Sequence, residues 1–256
     1  MIRQMLRRLA RNLFPTGAIR KVLHGPAKGT LFEVVEGMGV TYALGRNHWH
    51  FEFLTHHIKP GFTIYDVGAN CGQMSLFFSK IVGPSGRVLA FEPVPDNVMR
   101  LKRNVALNKH PNVEVFEAAV AADDIPKRFC MDSTRHTMGT MESTTQGSTL
   151  WDRVFEVKAL TLDSLSPTHR PPHLIKIDVE GGGLEVIEGA LGLIEKHRPL
   201  IYFELHAADE NAPELRALRL LRDRFQYQFV GLDHPDSDPL QPSWGPAVWC
   251  TPATLS

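Results

Sequence analysis

The sequence predicts an α/β fold, one sizeable domain on an open, mostly parallel sheet, and three observations carry that expectation. Apolar strand-like runs at residues 62–67, 88–91, 173–177 and 199–206 each run out into small or acidic residues. Stretches with helical apolar spacing accompany them, at residues 74–81, at Leu184, Ile187, Leu191 and Ile194, and at residues 213–224. The 256 residues, 43% of them hydrophobic, suffice to fill the core of such a domain.

In chain order, residues 1–14 read as a basic amphipathic helix. Ile2, Met5, Leu6, Leu9 and Leu13 share a face, and Arg3, Arg7, Arg8 and Arg11 occupy the others. No continuous apolar stretch marks a signal peptide. The helix is expected to cap the domain or a dimer partner, with peripheral membrane contact as the alternative. Residues 32–35 and 40–44 have strand composition around a turn at residues 36–39, and a short helix follows. Residues 1–58 therefore form a cap segment and residues 59–256 the main domain. His48 and His50 share a strand face and His56 adjoins His57, yet no acid or cysteine completes a ligand set, so no metal is expected. Pro60-Gly61 launches the first core strand, which ends at the bend Gly68-Ala69-Asn70-Cys71-Gly72. Core strands follow at residues 88–91 and 113–118. Residues 121–160, rich in hydroxyls, methionine and glycine, read as a loop over a pocket or a plain surface insertion. The strands at 173–177 and 199–206 come next, then the helix at 213–224 and closing strands at 227–232 and 247–251.

The bend and Glu92 are the informative pair. Gly68 and Gly72 permit close backbone approach, and Asn70 tolerates a left-handed turn. Glu92 falls where the second parallel strand ends, placed to accept hydrogen bonds from both ribose hydroxyls of an adenosine-type cofactor. The glycines are not spaced G-x-G-x-x-G, no phosphate-loop lysine follows, and no basic residue lies between Lys59 and Lys80. A pyrophosphate thus lacks a partner, which disfavours an NAD-type oxidoreductase, whereas acidic Asp66 suits the sulfonium and amino group of S-adenosylmethionine. Tyr42 and Trp49 read first as packing residues, with an aromatic face toward that sulfonium as the alternative.

These residues resemble the FkbM-type S-adenosylmethionine-dependent methyltransferases over roughly residues 40–210. The likeness rests on Asp66-Val67-Gly68-Ala69-Asn70-x-Gly72, Phe91-Glu92-Pro93, Leu162-Asp163, Ile175-Lys176-Ile177-Asp178-Val179-Glu180-Gly181 and Glu204-x-His206. It implies a class I methyltransferase (Rossmann-like) core, a seven-stranded sheet with an antiparallel last strand, and methylation of a hydroxyl on a sugar, glycolipid or small natural product. By the same resemblance Asp66, Gly68, Ala69, Asn70, Gly72, Glu92, Pro93 and Asp178 bind the cofactor. Where the family usually carries a small residue and then Glu, this chain has Gly182-Gly183, which leaves open a nucleoside-binding module without turnover.

For chemistry at the strand exits, His206 is the first expectation for a general base because its ordinary pKa suits neutral pH. Glu180 is second, and Asp178 is expected to orient the cofactor's amino group or the acceptor. Asp163 and Glu204 are read as supports. Net charge is zero, but the first thirty residues hold seven basic groups and no acid, so the body is acidic and nucleic acid is not an expected partner. Cys71, Cys130 and Cys250 lack metal spacing and read as free thiols of a reducing, cytoplasmic compartment.

Overall fold

In the computed structural model of the protein, the described residues are 13–35, 43, 50–131, 139–141, 153–206, 209–236, 238–241 and 244–253. Residues 1–12 of the expected amphipathic helix, Tyr42, His48 and Trp49 lie outside them. An antiparallel pair opens the chain, β1 (Ile19–Lys21) with β2 (Leu31–Glu33). The expected partner of β2, at residues 40–44, lies almost wholly outside the described residues, and the observed partner lies upstream instead. Helix α1 (His50–His57) follows, so His50 belongs to a helix and shares no strand face with His48.

The core alternates strands and helices: β3 (Thr63–Val67), α2 (Gln73–Val82), β4 (Arg87–Phe91), α3 (Pro95–Asn108), β5 (Val113–Phe116) and β6 (Ala119–Val120). Next come β7 (Lys127–Met131), β8 (Gly139–Met141), β9 (Arg153–Val157), β10 (Ala159–Leu160) and α4 (Leu162–Leu165). The chain closes with β11 (Leu174–Ile177), α5 (Gly183–Glu188), α6 (Leu191–His197), β12 (Leu200–His206), α7 (Pro213–Phe225), β13 (Tyr227–Gly231) and β14 (Trp244–Pro252). Seven strands form the central sheet in the order β13-β14-β12-β11-β3-β4-β5. Its ladders from β12 to β5 are parallel, and β14 runs antiparallel to both neighbours.

Every residue of β3 and β11 is buried because helices cover both faces, which is why these strands read as continuous runs rather than alternations. Tyr65, Val67, Ile175, Ile177 and Phe203 face α5, α6 and α7 through Val186, Ile194 and Leu218. On the other face Ile64, Val88 and Leu174 pack with Phe51 and Leu54 of α1 and Phe77 and Phe78 of α2.

Two expectations about elements need correction. The single helix through Leu184 and Ile194 is two helices, broken at Gly189, where a Cβ would stand 2.0 Å from the Ala121 carbonyl oxygen. Asp163 caps the second by accepting from the Gly192 and Leu193 amides at 2.9 and 2.7 Å, which gives it a structural task. Residues 121–160 are not a bare loop: β7 pairs with β8 and β9 in a separate antiparallel sheet whose buried face carries Phe129, Met131 and Met141. Most of the hydroxyl-rich stretch between these strands lies outside the described residues.

Candidate functional site

A cleft opens beyond the carboxyl ends of β3, β4 and β11, enclosing about 740 Å³ including its open mouth. Positive φ at Gly68 (76°), Asn70 (51°) and Gly72 (89°) turns the chain from β3 into α2. The two glycines chiefly serve joints between elements. A Cβ on Gly68 would lie 1.9 Å from the Asp178 carbonyl oxygen, and one on Gly72 2.3 Å from the Leu101 side chain on α3. Ala69 packs with Ala90 and Leu101, and the amides of Gly68 and Ala69 both donate to the Phe91 carbonyl. Asn70 and Glu92 meet directly: Glu92 Oε2 accepts from the Asn70 amide at 2.8 Å. Its Oε1 accepts from the Val94 amide at 3.0 Å and from Asn97 Nδ2 at 3.2 Å. Burial raises the Glu92 pKa against the pull of these donors and of Lys176.

Behind the loop sits a polar centre on the α1/α2 side of the sheet, and Lys176 is its hub. Its Nζ lies 3.0 Å from Asp66 Oδ1 and 3.4 Å from Asp178 Oδ2, and it donates to the carbonyls of Gly68 (2.7 Å) and Val67 (3.3 Å). Burial opposes the ammonium charge, but Asp66 and Asp178 overcome it and hold the pKa above the ordinary lysine value. Asp66 is fully buried and also accepts from Ser75 Oγ at 2.5 Å. Asp178 meets His206, with Oδ1 to Nε2 3.2 Å, and His206 Nδ1 lies 3.8 Å from Glu180 Oε2. Burial works against the Asp178 carboxylate, yet Lys176 and His206 hold it well below the usual range. Burial likewise disfavours the His206 imidazolium, but the Asp178 hydrogen bond and the charges of Glu180 and Glu204 raise its pKa to about 9. Burial and the nearby charge of Asp178 lift Glu204 to about 7.

A model of the FkbM methyltransferase domain matches residues 66–229, the span from the first core strand to β13. This chain belongs to that family. The hexuronic acid methyltransferase AglP of Haloferax volcanii is 27% identical over 152 residues, 56% of each chain. Methyltransferase 1 of Beauveria bassiana is 26% identical over 155 residues, 54% of this chain and 61% of its own. The solved FkbM methyltransferase of Methylobacillus flagellatus superposes with a TM-score of 0.49 at 17% identity, covering 78% of this chain and 50% of that one. The chain thus spans less than two thirds of the length of these relatives.

The cofactor of an FkbM methyltransferase domain is S-adenosylmethionine, and the cleft fits it. Among the described residues no Lys or Arg lines the cleft, whereas Glu92, Asp178 and Glu180 do, beside apolar Phe91, Phe129 and Met141. That lining suits an adenine, a ribose and two cationic groups, and gives a pyrophosphate nothing to pair with. A carboxylate offers about four acceptor positions. Three at Glu92 are filled from within the protein, which leaves about one acceptor position open.

Of the expected cofactor residues, Gly68, Asn70, Glu92, Pro93 and Asp178 line the cleft. Asp66 is set behind it, against Lys176, and Ala69 and Gly72 shape the bend without lining it. The expected catalytic trio Asp178, Glu180 and His206 comes together, but with a different charge state than an unperturbed imidazole would have. The carboxylates of Asp178 and Glu180 favour the protonated form of His206, whose pKa is raised to about 9. Lys176 escaped the sequence reading, although one lysine inside an apolar strand, in register with Asp66 on the next strand, signals a buried ion pair. Gly183 is fixed by packing: a Cβ there would meet the Phe203 ring at 2.5 Å and Glu214 Cγ at 3.4 Å. Glu214 of α7, 1% exposed, thus brings a buried carboxyl beside the position where the sequence lacks one.

Proposed function

We propose that this protein transfers the methyl group of S-adenosylmethionine to a hydroxyl of a sugar, glycolipid or small hydroxylated metabolite. The observation that carries this is the cleft lining, acidic and apolar with no basic residue among those described. The likeness to a hexuronic acid methyltransferase supports a glycan acceptor.

When bound, S-adenosylmethionine supplies a methyl carbon made electrophilic by its sulfonium sulfur. Glu92 holds the ribose, and Asp178, kept ionised by Lys176, faces the cationic end. Glu180 lines the cleft and is the group placed to accept the acceptor's proton. His206, as a cation 3.8 Å away, orients Glu180. Most of the acceleration then comes from holding two reactants in line, and proton acceptance by a carboxylate adds about 10²- to 10⁴-fold. An acceptor screen over uronic acids, glycolipids and hydroxylated metabolites, read by mass spectrometry, tests the activity: the expected result is a gain of one CH₂ in at least one class. No gain in any class, with cofactor bound, favours the second reading, a nucleoside-binding module without turnover, which the absence of a carboxylate at Gly183 motivates.

A further inference from the structure

We infer that Asp178, Glu204 and His206 form a site for one hard divalent cation, Mg²⁺ or Mn²⁺, at the inner edge of the cleft. Each residue offers one ligand atom, and the three atoms lie within 4.8 Å of one another. An octahedral ion about 2.1 Å from its ligands spaces them about 3 to 4.2 Å apart, so the three atoms, up to 4.8 Å apart here, would draw inward on such an ion. The Asp178–His206 separation of 3.2 Å already falls in that range.

The surroundings are arranged as around a metal ligand set. His206 turns Nε2 toward the centre, where the ion would take the place of the proton it shares with Asp178, and Nδ1 toward Glu180, the outer carboxylate that commonly orients a ligating imidazole. Asp178 directs Oδ2 to Lys176 and leaves Oδ1 for the centre. Glu204, half-buried at the strand exit, stands near the like charge of Asp178, which is an unfavourable state for a carboxylate in a partly dry site. Glu214 adds to the acid excess: it is 1% exposed, lies close to the Gly181 backbone amide, and interacts electrostatically with His206. The two carboxylates favour a hard, oxygen-preferring ion, with the imidazole as the one softer ligand. Asp178 lines the cleft with its side chain 36% exposed, so the ion's remaining positions open toward the space where an acceptor oxygen docks. What the ion would hold there rests on the proposed function; the ion site itself rests on the three side chains.

The test titrates Mn²⁺ into the full chain and follows the free ion by electron paramagnetic resonance, with calorimetry of S-adenosylhomocysteine on the same samples. The expected result is one Mn²⁺ per chain, displaced by Mg²⁺. Glu204→Gln is expected to bind Mn²⁺ at least about 100-fold more weakly, the upper end of what loss of an outer partner alone costs, while keeping its affinity for S-adenosylhomocysteine. That retained affinity shows the variant is folded. Free Mn²⁺ undiminished by protein that binds S-adenosylhomocysteine, or Glu204→Gln binding Mn²⁺ like the parent, overturns the inference. Mn²⁺ bound without S-adenosylhomocysteine leaves the ion site standing and removes the proposed function.

Discussion

Replacing Lys176 with Met is the most informative perturbation of the site, because the side-chain volume nearly stays and the charge goes. The ammonium faces two carboxylates of unequal exposure. Asp178 is 36% exposed and can rehydrate once Lys176 is gone, but Asp66 is 0% exposed and cannot. Asp66 keeps Ser75 as a hydrogen-bond donor, and the Gly68 and Val67 carbonyls each lose one. Removing one partner of a buried ion pair costs about 3–5 kcal/mol. Each lost carbonyl hydrogen bond adds about 1 kcal/mol where water cannot replace it. Lys176→Met is therefore expected to destabilise the protein by about 5–7 kcal/mol. Asp66→Asn/Lys176→Met, which leaves no uncompensated charge, is expected to recover at least about 2 kcal/mol of that. Guanidinium unfolding of the parent, both single variants and the double variant gives the coupling directly. A cost below about 1 kcal/mol for Lys176→Met, or a double variant as unstable as the two singles added, refutes the reasoning.

Other expectations concern the cleft, its joints and pH. Glu92→Gln keeps the shape of the carboxylate and is expected to weaken S-adenosylhomocysteine by about 1.5–3 kcal/mol, the range for hydrogen bonds to a charged group; calorimetry showing unchanged affinity removes Glu92 from the site. Gly68→Ala combines a positive φ with a Cβ 1.9 Å from the Asp178 carbonyl oxygen, so it is expected to lower the melting temperature and cofactor affinity together; a parent-like melting curve contradicts this. Gly183→Ala is expected to destabilise through the Phe203 ring, and Phe203→Leu is expected to relieve that cost in the double variant; two additive costs in the melting curves speak against the packing account. The pKa shifts of Glu204 and His206 are both upward, so the folded state binds more protons than the unfolded one. The Glu204 contribution is present below about pH 4.5 and is lost as pH rises to about 7, and that of His206 is present below about pH 6.5 and is lost as pH rises to about 9. Stability is therefore expected to fall from weakly acidic to alkaline pH, and Glu204→Gln to remove the lower part of that fall; stability rising over this window contradicts the assigned charge states.

The parallel core was legible because its strands are buried on both faces and its bend needs small residues. Continuous runs such as Thr63–Val67 and Leu174–Ile177 announce their burial without any tertiary information. Glu92 stood out as an acid at a strand end, but its task of holding the Asn70 and Val94 amides and Asn97 becomes visible only in the structure. Less was readable where register or packing decides. The β7–β8–β9 sheet is assembled from short strands separated by polar stretches, so no period marks it. Helix α3, with Pro95 at its start, has an amphipathic pattern that the reading passed over because two strands flanked it closely. The charge of His206 follows from Asp178 and Glu180, which lie 28 and 26 positions away in the chain, and no sequence spacing states that distance. For the same reason Lys176 reads as an interruption of a strand until β3 is placed beside it, and Gly183 reads as a missing carboxylate until Phe203 and Glu214 are seen to fill the space.

Calorimetric titration of the parent protein with S-adenosylhomocysteine, with NAD⁺ as the comparison ligand, tests the central claim most directly. One S-adenosylhomocysteine per chain and no heat from NAD⁺ is the expected outcome for a cleft with acids and apolar side chains but no cation for a pyrophosphate. Saturable NAD⁺ binding with no response to S-adenosylhomocysteine contradicts it.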